Sequence, residues 1–211
     1  AIAEMFMVMH IDVAQNRLSE FMLKISPLMK ELSLSYVEVW SGLEIEHFTI
    51  KRKTRLLYDE EAITKIDGGQ LYQFLLTNPN KRHPGTFFYT LDVNLSKNKD
   101  ILEYYAQKNL KWQSIYELFD IVRQLEERGR NIVAHEISAV NESLLLADYY
   151  KNKKNANLPN HSISSEMNNR QELMINILED IRYLITQLVG IKKSECNNVY
   201  DIINEQIEIL L

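Results

Sequence analysis

Apolar residues return every third or fourth position over most of this chain, a spacing that suits helices and little else. From residue 3 to 25 the series is Met5, Val8, Met9, Val13, Leu18, Phe21, Met22 and Ile25. Trp112, Ile115, Phe119, Val122 and Leu125 form a second series, and Leu173, Ile177, Ile181, Leu184, Ile185 and Leu188 a third. Breakers are scarce, with 6 Gly and 4 Pro in 211 residues, so helices have room to run. The expected class is mainly α.

The punctuation predicts where the helices stop. Ser26-Pro27 reads as a break and restart, with Pro27 at a first helical position, and Gly42 ends the next helix after Trp40. Residues 44–93 differ. Glu46 to Thr54 alternates in the manner of a strand, and Thr86 to Val93 is rich in aromatic and β-branched residues. Gly68-Gly69 and the stretch 78–85 read as turns between them. We therefore expect a small β-containing insertion at 44–93 in one helical domain covering 1–211. Arg128-Gly129 is expected to end or sharply kink a helix, and a new one to start near Arg130 and reach Tyr149. Lys151 to Ile163 reads as a loop. Ser164 or Ser165 caps a helix through Leu188 that Gly190 stops, and a last helix spans about 198–211.

Charge and cysteine content narrow the function. A formal net charge of -5 disfavours a wide basic grip on duplex DNA, though not a small local site for a few nucleotides. A single Cys196 excludes a disulfide framework and an all-cysteine zinc site, which fits a reducing cytoplasm. No apolar run is long enough to span a membrane, and residues 1–9 lack the features of a signal peptide. The Asn-x-Ser triplets at Asn94, Asn141 and Asn160 read as chance matches. Ala1 is not an initiator methionine, so the expectation is either a piece of a longer chain or a processed one.

Chemistry concentrates in Arg130-Asn131-Ile132-Val133-Ala134-His135. Asn131 and His135 are four apart, one turn of a helix, and Arg130 borders their face. If the helix began at Arg130, its free N–H groups would add a phosphate-binding end. The arginine fork matches phosphate oxygens and stabilises charge developing on phosphorus. The histidine titrates near neutrality and can move a proton to or from a ribose oxygen. The asparagine can orient the imidazole or the ribose. RNA supplies its own nucleophile, so no metal and no cofactor are expected. The products would be a 2′,3′-cyclic phosphate and a 5′-hydroxyl. One histidine is little equipment for both acid and base work. A two-fold homodimer would bring two copies to one composite site.

These six residues resemble the ribonuclease motif of the HEPN superfamily: an arginine, a polar residue, a few mostly apolar residues and a histidine. Arg130, Asn131 and His135 match it position by position. The order of helices around the motif is similar as well. Within the superfamily the pattern resembles the C-terminal domain of the ancillary ribonucleases of type III CRISPR systems. The resemblance implies a HEPN-type helical bundle and an endoribonuclease cutting single-stranded RNA in antiviral defence. It also implies a nucleotide-sensing domain outside this chain, through which cyclic oligoadenylate would act as activator. Two alternatives share the motif: a toxin or abortive-infection ribonuclease, and a non-catalytic module for dimerisation or nucleotide binding.

Rival sites are weaker. His135-Glu136 opens like a zinc-protease motif, but position 139 is Ala. His10, His47, His83 and His161 lack ligand spacing. Asp59-Glu60-Glu61 and Glu126-Glu127 read as solvated faces. Lys51-Arg52-Lys53 with Arg55, and Lys151 with Lys153-Lys154, could follow an RNA strand or serve solubility alone. Tyr149 and Tyr150 could stack on bases, or simply edge the core.

Overall fold

Each periodic stretch is a helix, and the local chemistry at each end explains where it stops. The computed structural model describes residues 2–77, 92–135, 149, 151–153 and 170–195, with side chains described at all of these except 129–135, 170 and 191–195. Among the described residues the protein is mainly α with one small antiparallel sheet.

Helix α1 (Ile2–Ala14) and helix α2 (Leu18–Ser41) replace the single helix expected over 3–25. The break falls at Asn16, whose φ of 53° is left-handed. Arg17 N–H donates to the Asp12 carbonyl at 2.8 Å and Asn16 N–H to Val13 at 3.1 Å, the paired bonds that close a helix around a left-handed residue. Asn tolerates that conformation better than most side chains. Pro27, by contrast, neither breaks nor starts a helix: α2 runs through it. Pro27 and Leu23, whose carbonyl loses its partner, both lie on the exposed side, where water can take up the bond. Gly42 ends α2 as expected, with φ 68° and its N–H on the Glu38 carbonyl at 3.0 Å.

The chain divides into two compact units, Ala1–Leu32 with Ser114–Leu211, and Ser33–Gln113. In the second, strands β1 (Thr49–Arg52) and β2 (Arg55–Tyr58) pair antiparallel around a two-residue turn, with Thr49 opposite Tyr58 and Arg52 opposite Arg55. Helices α3 (Glu60–Lys65) and α4 (Gln70–Thr77) follow, and neither had been expected. Asp59 caps α3 by accepting from Glu61 N–H at 3.0 Å, so the acidic run 59–61 marks a helix start. Asp67, Gly68 and Gly69 are all left-handed and form the turn read there. Of the strand expected at 86–93, residues 86–91 lie outside the described residues. Asp92 bridges Leu57, and Val93 N–H reaches the Leu56 carbonyl at 3.0 Å.

Helix α5 (Leu95–Ala106) is capped by Asn94, which accepts from Lys97 N–H at 2.9 Å. This gives the first Asn-x-Ser asparagine a structural role. A neutral buried chain ties the unit together: Tyr58 Oη donates to Asn98 at 2.6 Å, and Asn98 donates to Ser33 Oγ at 2.6 Å. Trp112 stacks on Trp40 with centroids 5.0 Å apart.

Helix α6 (Leu110–His135) starts at Asn109, whose side chain accepts from Lys111 N–H at 3.0 Å. It does not end or restart at Gly129; it is unbroken through Arg130 to His135. One glycine in a helix costs only about 1 kcal/mol relative to alanine. The buried stripe of Ile115, Phe119, Val122 and Leu125 upstream outweighs that. Helix α7 (Arg170–Glu195) likewise continues through Gly190, which takes no left-handed φ. Its expected inner residues, Leu173, Ile177, Ile181, Leu184, Ile185 and Leu188, are all buried, and α1 packs on it. Residues 151–153 are helical where a loop was expected, and Lys153 is buried. The expected helix beyond His135 (apart from Tyr149), the Ser164/Ser165 cap and the last helix at 198–211 lie outside the described residues.

Candidate functional site

The motif sits on α6, among its last six described residues. Asn131 and His135 are therefore one turn apart on one helical face, about 6 Å along the axis, and Arg130 occupies the neighbouring register position. The four-residue step thus falls in a helix, as expected, but the helix start does not. The N-terminus of α6 lies 20 residues earlier, about 30 Å away along the axis. No N-terminal dipole or free N–H group of α6 serves Arg130. The side chains of Arg130, Asn131 and His135 lie outside the described ones.

The helix carrying the motif is fixed by polar contacts as well as by its apolar stripe. Arg123 donates to Glu126 at 2.7 Å and lies 3.5 Å from Glu127, on the turns just before the motif. Glu126 is 1% exposed, so the expectation of a solvated acidic face fails there. Gln124 donates to Asp120 at 2.9 Å and accepts from Asn152 at 3.2 Å, so chain from beyond the motif returns to α6. That returning chain is also held on α7. Lys153 Nζ donates to Asp180 Oδ1 at 2.8 Å, and Tyr149 Oη donates to the other oxygen of the same carboxylate. Lys153 also lies over the Tyr149 ring, 5.4 Å from its centroid. Tyr149 is 1% exposed and is not a stacking platform for bases. Tyr150 and Lys154 lie outside the described residues.

The Asp180 cluster was not foreseen. Its only trace in the sequence is a carboxylate set in the apolar stretch around Ile177 and Ile181, and its partners stand 27 and 31 residues away. Buried charges in such a cluster tolerate loss of one member poorly, because the survivor has neither water nor a partner.

Other candidates do not assemble chemistry. A cavity of about 680 Å³ in the second unit is lined by Ser41, His47, Asp59, Glu61, Lys65 and Asp67 among others. It opens broadly to solvent, and two of its charged groups are engaged by near neighbours. Lys65 pairs with Glu61 at 2.9 Å, and Asp67 is held by Lys108 and Tyr104. Those bonds, from Lys108 first, hold the Asp67 carboxyl below the usual carboxylate range. Burial pushes the nearby Tyr105 hydroxyl up to about 12, far from any acid–base duty at neutral pH. His10 stands edge-on to Phe6 at 4.9 Å, and burial lowers its pKa. His83 and His161 lie outside the described residues. Among the described residues no three His, Cys, Asp or Glu side chains are grouped to hold a metal ion, and no helix is long and apolar enough to cross a membrane.

Comparison with known proteins adds one finding to this geometry. No curated protein and no solved structure matches the chain. The family model described as the Cas_Csm6 HEPN domain matches residues 1–208, nearly the whole chain and with it the α6 motif. The chain belongs to that family, the HEPN domains of Csm6-type ribonucleases of type III CRISPR systems.

Proposed function

We propose that this chain is a metal-independent endoribonuclease that cuts single-stranded RNA, with Arg130, Asn131 and His135 as its catalytic residues. The observation that carries the reading is the motif itself: its asparagine and histidine stand one turn apart on the unbroken helix α6, in a chain that matches the HEPN family over residues 1–208. We read residues 1–211 as one HEPN-type domain with 44–93 as its β-bearing insertion.

In this reading the ribose 2′-oxygen attacks the adjacent phosphorus and gives its proton to a neutral His135 imidazole. The bond from phosphorus to the 5′-oxygen breaks, and that oxygen takes a proton from an imidazolium. The products are a 2′,3′-cyclic phosphate and a 5′-hydroxyl. Arg130 holds the non-bridging oxygens as charge grows on them. Asn131 orients the imidazole or the ribose. Base and acid are the two His135 side chains of a homodimer, so the site is composite and each protomer carries half of it. With the N-terminus of α6 far from the motif, paired arginines supply the positive field that a helix end would otherwise give. A nucleotide sensor outside this chain, answering to cyclic oligoadenylate, is the corresponding regulator.

His135→Ala should lower the cleavage rate of a labelled single-stranded RNA about a hundredfold or more. An unchanged rate in the purified variant would overturn the assignment. Cleavage should persist in EDTA and leave 5′ ends that a 5′-kinase labels directly and 3′ ends that resist enzymatic tailing until the cyclic phosphate is opened and the phosphate removed. Abolition by chelator would show that the mechanism is wrong. The composite site predicts a rate per chain that falls once dilution takes the dimer apart. A demonstrated monomer with full activity would sink it.

A further inference from the structure

The described residues hold one concentrated basic surface, the tip of the β1–β2 hairpin in the second unit. Lys51, Arg52, Lys53 and Arg55 are all exposed. Asp92 meets Arg55 at 3.7 Å. No ion-pair partner among the described residues is recorded for Lys51, Arg52 or Lys53. This positive tip stands on a chain whose net charge is -5.

Two features of the hairpin work against its own stability. Arg52 and Arg55 are directly opposite in the strand register, an arrangement in which like charges repel. On the same face lie Ile50 and Leu57, so the two arginines cap a half-buried apolar pair where a threonine or valine would pair better. The turn then places Lys53 at φ 55°, a left-handed conformation that glycine or asparagine adopts at lower cost. A hairpin shaped by folding alone would relieve both. Retaining four cations here at that cost points to a ligand carrying many negative charges.

We propose that this hairpin is a docking surface for the phosphate backbone of single-stranded RNA. The inference rests on the reading that RNA is this chain's substrate, and adds a binding surface beyond the α6 motif. Backbone contacts by lysine and arginine are independent of sequence and release counterions, so they carry a salt signature. Arginine forks suit phosphate oxygens, and on the opposite face of the hairpin the exposed Leu56, across from Lys51, offers an apolar edge to an unstacked base.

The test uses the full chain in a His135→Ala background, so that RNA is bound and not cut. The variant combines Lys51→Thr, Arg52→Thr and Lys53→Gly, each chosen to suit its backbone position. Fluorescence anisotropy with a labelled 20-nucleotide RNA between 50 and 200 mM salt should show binding weakened roughly tenfold at the lower salt. The slope of log affinity against log salt should flatten by about 2, at ~0.7 per lost single-strand phosphate contact. The melting temperature should hold or rise. Lys65→Ala removes a cation already paired with Glu61 and should leave the slope as it was. An unchanged slope in the triple variant, an equal loss in Lys65→Ala, or a loss that tracks a fallen melting temperature would each overturn the proposal. So would loss of binding to phosphatidylserine vesicles with RNA binding intact, which would assign the hairpin to a membrane surface. Failure of the cleavage reading would show only in the cutting assay, and failure of this inference only in binding.

Discussion

The two units keep their polar groups in different ways. The first, which carries α6 beyond Gln113, buries ionised ones. Asp12 is sealed at 0% exposure between Arg17 and Lys24, Glu126 faces Arg123, and Asp180 gathers Lys153 and Tyr149. The second is organised by a neutral chain, Tyr58 to Asn98 to Ser33, with a buried Lys97 on a half-buried Asp100 and a cluster of exposed cations on the hairpin. A neutral network can lose a hydroxyl and be left short of one hydrogen bond. A buried ion pair that loses a member strands a full charge. The helix that bears the motif thus stands in the unit least tolerant of local polar change, and the exposed basic surface in the more tolerant one.

The sharpest way to break that contrast is Asp180→Ala. It leaves Lys153 buried without its carboxylate and should cost about 3–5 kcal/mol. For a chain of this size that lowers the melting temperature by roughly 10 °C. Joining Asp180→Leu to Lys153→Met should restore most of the loss, because replacing both charges by apolar groups removes the stranded one. A fall of under about 1 kcal/mol for the single variant would mean that the pair is not truly desolvated. Next in size is Tyr58→Phe, which strands the Asn98 oxygen and should cost about 1–3 kcal/mol by denaturant unfolding. If it matched Asp180→Ala, the distinction between the units would fail.

The same contrast explains what was legible in the sequence. Helices α1, α2, α6 and α7 announce themselves because their buried faces repeat over many turns. Their ends do not, because the outcome at a breaker depends on tertiary surroundings that no local pattern carries. Pro27 sits harmlessly inside α2 since its face is exposed, Gly129 and Gly190 pass within helices, and the inconspicuous Asn16 makes the break. Helices α3 and α4 are too short to show a period. Half of the hairpin was visible, although of the strand expected over 46–54 only Thr49–Arg52 forms one, Ile45–Phe48 being a 3-10 turn. Its second strand follows a Lys53-Thr54 turn that carries none of the usual glycine or asparagine. At the candidate site, the residue types and the four-residue step of Arg130, Asn131 and His135 could be read without the fold. That they ride in the interior of a long helix could not, nor could the Asp180 cluster, whose members meet only through tertiary packing.

The smallest effect tests the contrast at its edge, where a titratable group of the first unit is only partly enclosed. His10 on α1 has its pKa lowered by burial first, with Glu179 raising it and Arg182 lowering it from α7. The unfolded chain therefore holds the proton more tightly than the folded one. Stability is full above the unfolded value of 6.5 and declines as pH drops below it, until the folded histidine also protonates. His10→Gln removes the titration and should flatten the melting temperature between pH 7 and pH 5 relative to the parent. Because the ring is largely exposed, the difference should be about 1 °C or less. A steeper acid loss in the variant would show that protonated His10 is welcomed, with Glu179 outweighing burial. The rule that this unit penalises unpaired charge would then stop short of its α1–α7 surface.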